Sequence, residues 1–224
     1  MMMLIKNPEI LPPGILKTKV DLAAISADWP SFLGFIEMAT SAAGIILFGF
    51  AASWIFGREY SDRTVKDLLA LSVSRTAIVF SKIIALWLWC LLSAVVIFVI
   101  SLGTGALINL PLWSPDLMPE FFRVFFVSAL LSLLLCPVVA FVASMGRGFL
   151  PAIGFLIFCM GLANLFANIG VGEYFPWAIP MLYSNAVEDA GNGLPLASYI
   201  IIVLTCLAGI IGTVYRWKYA DQNR

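Results

Sequence analysis

The side chains able to act chemically in this chain gather in one stretch, FGREYSDRTVKDLLALSVSRTAIVFSK, residues 56–82. Glu59, Arg63, Lys66, Arg75 and Lys82 supply charges of both signs, and Val65, Leu68 and Leu69 supply apolar side chains. Thr64 and Asp67 have the Ser/Thr-x-x-Asp/Glu spacing of a capping box, with Ser61 and Asp62 as competing N-caps after Gly57. Val65, Leu68, Leu69 and Ser72 then recur at i, i+3, i+4 and i+7, one face of a short helix that ends near Ser72-Val73-Ser74. Such a segment makes and breaks no bonds, but it can dock. An apolar stripe in a polar loop needs a surface to cover it, either membrane or another protein. Arg75 and Lys82 can reach headgroup phosphates or a partner's acidic groups. The plainer reading of the charges is a basic loop of the kind that fixes membrane orientation; it leaves the stripe unaccounted for.

Bond-making chemistry is poorly represented elsewhere. The chain has no histidine, which removes the usual base for a Ser or Cys nucleophile and the commonest metal ligand. No pair of acids sits in two facing apolar stretches, as an aspartyl mechanism would require. An intramembrane protease or lipid-modifying transferase is therefore disfavoured. A channel or proton-coupled carrier would need ionisable residues near mid-membrane, and they are essentially absent. Cys90, Cys136, Cys159 and Cys206 all lie in apolar runs without CxxC spacing, so they read as packing residues rather than a disulfide framework or metal site.

The elements that must position residues 56–82 are membrane spans. With 62% hydrophobic residues, 12% charged residues and a mean hydropathy of +1.00 over 224 residues, the composition belongs to the membrane class. The 13 basic and 13 acidic residues cancel, so the balance suggests no nucleic-acid partner. Five stretches, 35–56, 77–102, 124–145, 149–170 and 196–215, reach the ~20 apolar residues that a hydrocarbon core demands. Nine of the 13 lysines and arginines fall in 57–82, 146–148 and 216–224, which places those segments and the C-terminus in the cytoplasm. Trp54 and Trp217 are expected in an inner interfacial belt, and Trp29, Trp113 and Trp177 in an outer one.

That topology leaves residues 1–31 outside, yet MMMLIKNPE has neither the basic region nor the apolar run of a signal peptide. Met1 to Ile5 is expected to be the outer end of an upstream helix, an internal methionine having been taken as the start; the alternative is a genuine outward tail. Asn164 and Asn168, at i and i+4 of the fourth span, can hydrogen-bond across helices or line a pathway. Glu37 can meet a cationic substrate or snorkel to the interface. Pro137 and Pro151 mark a kink or a gating hinge. FPWAIP, residues 175–180, reads as a re-entrant or interfacial segment on the outer face.

Glu59, Arg63-Thr64, Leu68-Leu69, the Val73-Ser74-Arg75 turn and Lys82, set between two spans, resemble the cytoplasmic segment of type 2 ABC transporter permeases, in particular the bacitracin-export and lantibiotic-immunity branch. Two positions depart from that pattern: Arg63 stands where glycine is frequent, and Ser72 where proline is frequent. The specific match covers about 27 residues. The resemblance implies an all-α polytopic membrane protein, one permease domain over residues 1–224. Its parts would be five transmembrane helices here, a missing sixth at the N-terminus and a short amphipathic coupling helix within 57–76. It also implies a multi-pass protein of the cell membrane that forms an export pathway as a homo- or heterodimer of permease subunits. The expected cargo is a hydrophobic or amphipathic compound such as a peptide antibiotic. ATP would be bound and hydrolysed by a separate subunit, with no cofactor on this chain, and no G-x-x-x-x-G-K-[ST] phosphate loop occurs in it. Val65, Leu68 and Leu69 would grip that subunit; Glu59, Arg63, Thr64, Lys66, Arg75 and Lys82 would set register and partner choice.

Overall fold

The computed structural model describes residues 28–62, 64, 73–190 and 193–219. Met1 to Ile5, where an upstream helix is expected, lies outside them. The described residues form an all-helical bundle: α1 Trp29–Ser61, α2 Arg75–Leu107, α3 Leu117–Met145, α4 Phe149–Ile169, α5 Ile179–Ala190 and α6 Leu196–Tyr219. All but α5 are long and apolar enough to cross a membrane. The helices run past the apolar cores that announce them. At ~1.5 Å per residue the 33-residue α1 and α2 are about 50 Å long, against a hydrocarbon core of about 30 Å.

Local chemistry sets the ends. The Asp28 side chain accepts from Ser31 N at 2.9 Å, with Pro30 in the first turn of α1. Ser74 does the same for α2 through Ala77 N at 3.2 Å, so Arg75 opens α2 rather than preceding it. Gly170, at φ 84, ends α4 in the left-handed conformation that glycine adopts freely. Gly57 does not end α1: the helix runs on to Ser61, and the Asp62 N–H closes it on Arg58 O at 2.8 Å. Gly57 instead permits a close helix approach. A Cβ there would lie 2.5 Å from Phe149 N, where α4 begins against α1, and Ser53 Oγ donates to Phe149 O at 3.0 Å beside it.

α3 is the centre of the bundle, with 67% of its apolar window buried against 22–33% for the other four spans. It packs chiefly on α1 and α6. α6 meets it with a stripe of mostly small residues, Ser198, Ile202, Cys206, Gly209, Thr213 and Trp217, the spacing that lets two backbones approach in a membrane. The approach is closest at Pro137, where a Cβ on Gly209 would fall 2.6 Å from Pro137 C and 2.5 Å from Val138 N. Because backbone atoms cannot step aside, Gly209→Ala is expected to destabilise the chain by about 2 kcal/mol through overpacking. Gly161→Ala, in open space on α4, is expected to be neutral or to stabilise by up to ~1 kcal/mol. Thermal melting of the two detergent-purified variants checks the pair; equal midpoints would refute the close approach.

Residues 171–190 turn back into the bundle. Phe175 packs against Phe166 with ring centres 4.9 Å apart, then Trp177 meets Phe155 at 5.4 Å, well along α4 from its Ile169 end. α5 then returns between α1 and α3. Trp29, Trp177 and Trp217 are buried rather than set in interfacial belts. Each has a neighbour inside the bundle: Phe32 at 6.0 Å for Trp29, Phe155 for Trp177 and Tyr60 at 6.1 Å for Trp217. Trp54 and Trp113 stay exposed.

Candidate coupling site

Four helix ends converge at one end of the bundle. These are the C-termini of α1 and α6, the N-terminus of α2, and the turn from α3 into α4. Arg58, Arg75, Lys82, Arg147, Arg216 and Lys218 all lie there, and we refer to it as the basic end. Arg123 lies at the opposite end, 3.7 Å from Glu120.

Lys82 is the hub of the basic end. It lies two turns inside α2, and its ammonium pairs with Glu59 of α1 and donates to Ile55 O at 3.0 Å. It also sits 5.4 Å from the centre of the Phe56 ring and 5.3 Å from that of Trp217. The side chains of Lys82 and Glu59 are only 12% and 21% exposed, so ion pair and cation–π contacts act in a largely desolvated setting where each counts for more. Trp217 carries the connection to α3: its Nε1 donates to Ser144 Oγ at 3.0 Å, and Ser144 Oγ donates to Ala140 O at 2.9 Å. Arg75 Nη1 reaches Trp217 O and Lys218 O at 3.4 and 3.5 Å, placing a cation on the carbonyl end of α6. Thus α1, α2, α3 and α6 are clasped where the polypeptide leaves α1 and enters α2.

The residues expected to act here divide accordingly. Glu59 and Lys82 point inward and hold each other. Arg75 is exposed while touching α6. Thr64 is exposed and its N–H closes on Glu59 O at 3.0 Å. Arg63, Val65, Lys66, Leu68 and Leu69 lie outside the described residues, as does Asp67 of the capping box. Arg58 forms an exposed pair with Asp62 at 2.9 Å and lies 5.6 Å from the Trp54 ring centre. Trp217, Ser144 and Phe56 were not anticipated as parts of this site. A signal for Trp217 exists in the sequence, an aromatic residue flanked by Arg216 and Lys218 at the foot of the small-residue stripe.

The other expected polar positions fall elsewhere. Asn168 Nδ2 donates to Asn164 O at 2.7 Å and Asn164 Oδ1 at 2.9 Å, on an exposed face of α4, so the pair closes on itself rather than across to another helix of this chain. Glu37 is half-buried at the opposite end, lining a 240 Å³ cleft between α1 and α3 together with Glu120. One turn deeper, Ser41 Oγ and Ser184 Oγ share a short hydrogen bond, and Ser128 Oγ lies 3.2 Å from Ser184 Oγ. These serines tie α5 to α1 and α3 in the apolar interior, where an unpaired hydroxyl would be costly. All four cysteines are buried and unbridged.

Fold and site define a polytopic helical membrane protein whose charged end is organised around the contacts of Lys82 with Glu59 and Trp217. The chain belongs to the ABC-2 transporter family: the family model described as ABC-2 family transporter protein matches residues 15–164. Among curated proteins it is similar to the bacitracin transport permease protein BCRB of Bacillus licheniformis, with 27% identity over 179 residues, 80% of this chain and 85% of that protein. No solved structure matches it.

Proposed function

We propose that this chain is the membrane-spanning permease subunit of an ATP-driven exporter, moving a hydrophobic or amphipathic compound such as a peptide antibiotic out of the cell. Family membership supports the class, and the name of the Bacillus relative supports the kind of cargo. The observation that carries the mechanism is the Glu59–Lys82–Trp217–Ser144 clasp. Force applied to residues 63–72 reaches α1 and α2 at once and passes to α3 and α6 through largely buried side chains. A separate subunit binds and hydrolyses ATP; this chain carries no cofactor. Val65, Leu68 and Leu69 give apolar grip on that subunit, with Arg63, Thr64, Lys66 and Arg75 setting register. Glu59 and Lys82 contribute from within, by fixing where the segment starts and ends. Closure of the ATP-binding pair then biases a dimer of permease subunits between two access states. The basic end and the C-terminus are cytoplasmic, by the distribution of lysine and arginine.

The test is co-purification of the tagged chain with a candidate ATP-binding protein of the same cell, joined to a susceptibility profile of the deletion strain. A stable complex and heightened sensitivity to bacitracin or a related peptide are expected. A chain that binds no ATP-binding protein, in a strain with unchanged susceptibility, would overturn the assignment.

A further inference from the structure

The cleft between α1 and α3 stands at the end opposite the coupling site. α1 lines it from Pro30 to Glu37 and α3 from Leu117 to Val124, each at i, i+3, i+4 and i+7, one face of each helix. The same two stripes reach Ser41 and Ser128 at i+11. There Ser184 of α5 stands between the helices, bonded to Ser41 Oγ and 3.2 Å from Ser128 Oγ. About one turn deeper α1 and α3 meet directly: a Cβ on Gly44 would lie 3.9 Å from Ser132 Oγ. Ser184 therefore stands at the floor of the cleft.

We propose that α5 is a latch, closed by the hydroxyl chain Ser128–Ser184–Ser41, and that its release opens the cleft into the bundle interior. A serine has one proton to donate, and that of Ser41 goes to Glu37 O at 2.7 Å. Ser184 thus donates to Ser41, and Ser128 to Ser184, so all three hydroxyls are satisfied while the latch is closed. They are satisfied when it opens as well. Ser41 is already bonded four residues back along its own helix, as are Ser132 and Ser144. Ser128 and Ser184 can turn to Val124 O and Pro180 O in the same way. No donor is then stranded in the apolar interior, where it would be costly. A buried ion pair such as Glu59–Lys82 has no such alternative.

The grip is also weak enough to let go. Side-chain bonds of this kind in a membrane shift an equilibrium about threefold each. α5 has a fixed end to swing from: Ile179 is fully buried, and the stretch before it is pinned to α4 by the Phe166–Phe175 and Phe155–Trp177 contacts. Ser198 Oγ of α6 holds the same stretch through Glu173 O at 2.9 Å. An export pathway must open at this end, and to that extent the latch rests on the proposed function.

The full chain carrying Ser132→Cys is purified in detergent and treated with a charged, water-soluble thiosulfonate, and labelling is followed by intact mass against the chain without the added thiol. Ser132 is 2% exposed beneath the floor, so slow labelling is expected. Ser184→Ala removes both bonds of the latch and should speed labelling about tenfold, threefold for each bond. Ser144→Ala deletes a buried hydroxyl of the same kind at the basic end and should leave the rate unchanged. No acceleration by Ser184→Ala, or an equal one by Ser144→Ala, overturns the latch. No transport enters that measurement, so it is independent of the export reading. In inverted membrane vesicles holding the whole transporter, Ser41→Cys with Ser184→Cys, oxidised by copper phenanthroline to a disulfide across the latch, should stop ATP-driven peptide uptake, and dithiothreitol should restore it. Continued uptake by the cross-linked chain overturns the latch, as does failure of the two cysteines to join. Absence of uptake by the unaltered chain counts against the export reading instead and leaves the labelling result standing.

Discussion

Lys82→Met is expected to lower the stability of the detergent-purified chain by about 3–5 kcal/mol, read as a large fall in melting midpoint. Methionine preserves the stem and its packing, so what disappears is the charge. Glu59 is then left as a largely buried carboxylate with no cation, and Ile55 O loses the donor at 3.0 Å. Removing one partner of a buried pair is far more harmful than removing both. Glu59→Gln with Lys82→Met should therefore recover most of the loss. Arg123→Met gives the comparison, because Arg123 and Glu120 are 53% and 62% exposed and such a pair is worth no more than about 1 kcal/mol. If Lys82→Met proves as mild as Arg123→Met, the clasp is not what holds the basic end together.

Leu68→Asp should abolish export while leaving membrane insertion and the melting midpoint unchanged. Leu68 belongs to the stripe read from sequence, and its proposed surface is on the ATP-binding subunit. Losing a buried leucine and placing a carboxylate in an apolar groove together cost about 3 kcal/mol or more, roughly a hundredfold in affinity. Resistance should fall to that of the deletion strain, with the ATP-binding subunit lost on co-purification or retained with ATP hydrolysis no longer linked to transport. Leu68→Ile, which keeps the apolar surface, should behave nearly as wild type. Arg75→Glu is a less clean probe. It also sets an acid against the α6 carbonyls that Arg75 now approaches at 3.4 and 3.5 Å, so part of its effect would be structural. Normal resistance and normal co-purification in Leu68→Asp would remove the stripe from the mechanism.

Two mistaken expectations at the basic end share a cause. Gly57 has the composition of a helix boundary, yet α1 runs past it to Ser61 because the glycine serves an approach to Phe149 some ninety residues away. Trp217 has the position of an interfacial anchor, yet it lies fully buried between Lys82, Tyr60 and Ser144. In both cases a short-range signal was outweighed by a contact with another helix. Asn164 and Asn168 show the same limit: spacing put them on one face of α4, and only the fold shows that face exposed and the two amides bonded to each other.

The sequence by itself determined the membrane class, the five candidate spans and the concentration of charge between the first two of them. Those are properties of composition and run length, which a hydrocarbon core reads locally and in order along the chain. Tertiary structure alone decided that α3 is central, that residues 171–190 turn back between α1 and α3, and that Lys82 meets Glu59 and Trp217. The reason is physical. A helix apolar on every side displays no stripe to say which face is inward, and in lipid the choice falls to small-residue contacts and buried polar pairs. Those pairs join residues as distant as Ser41 and Ser184, 143 positions apart.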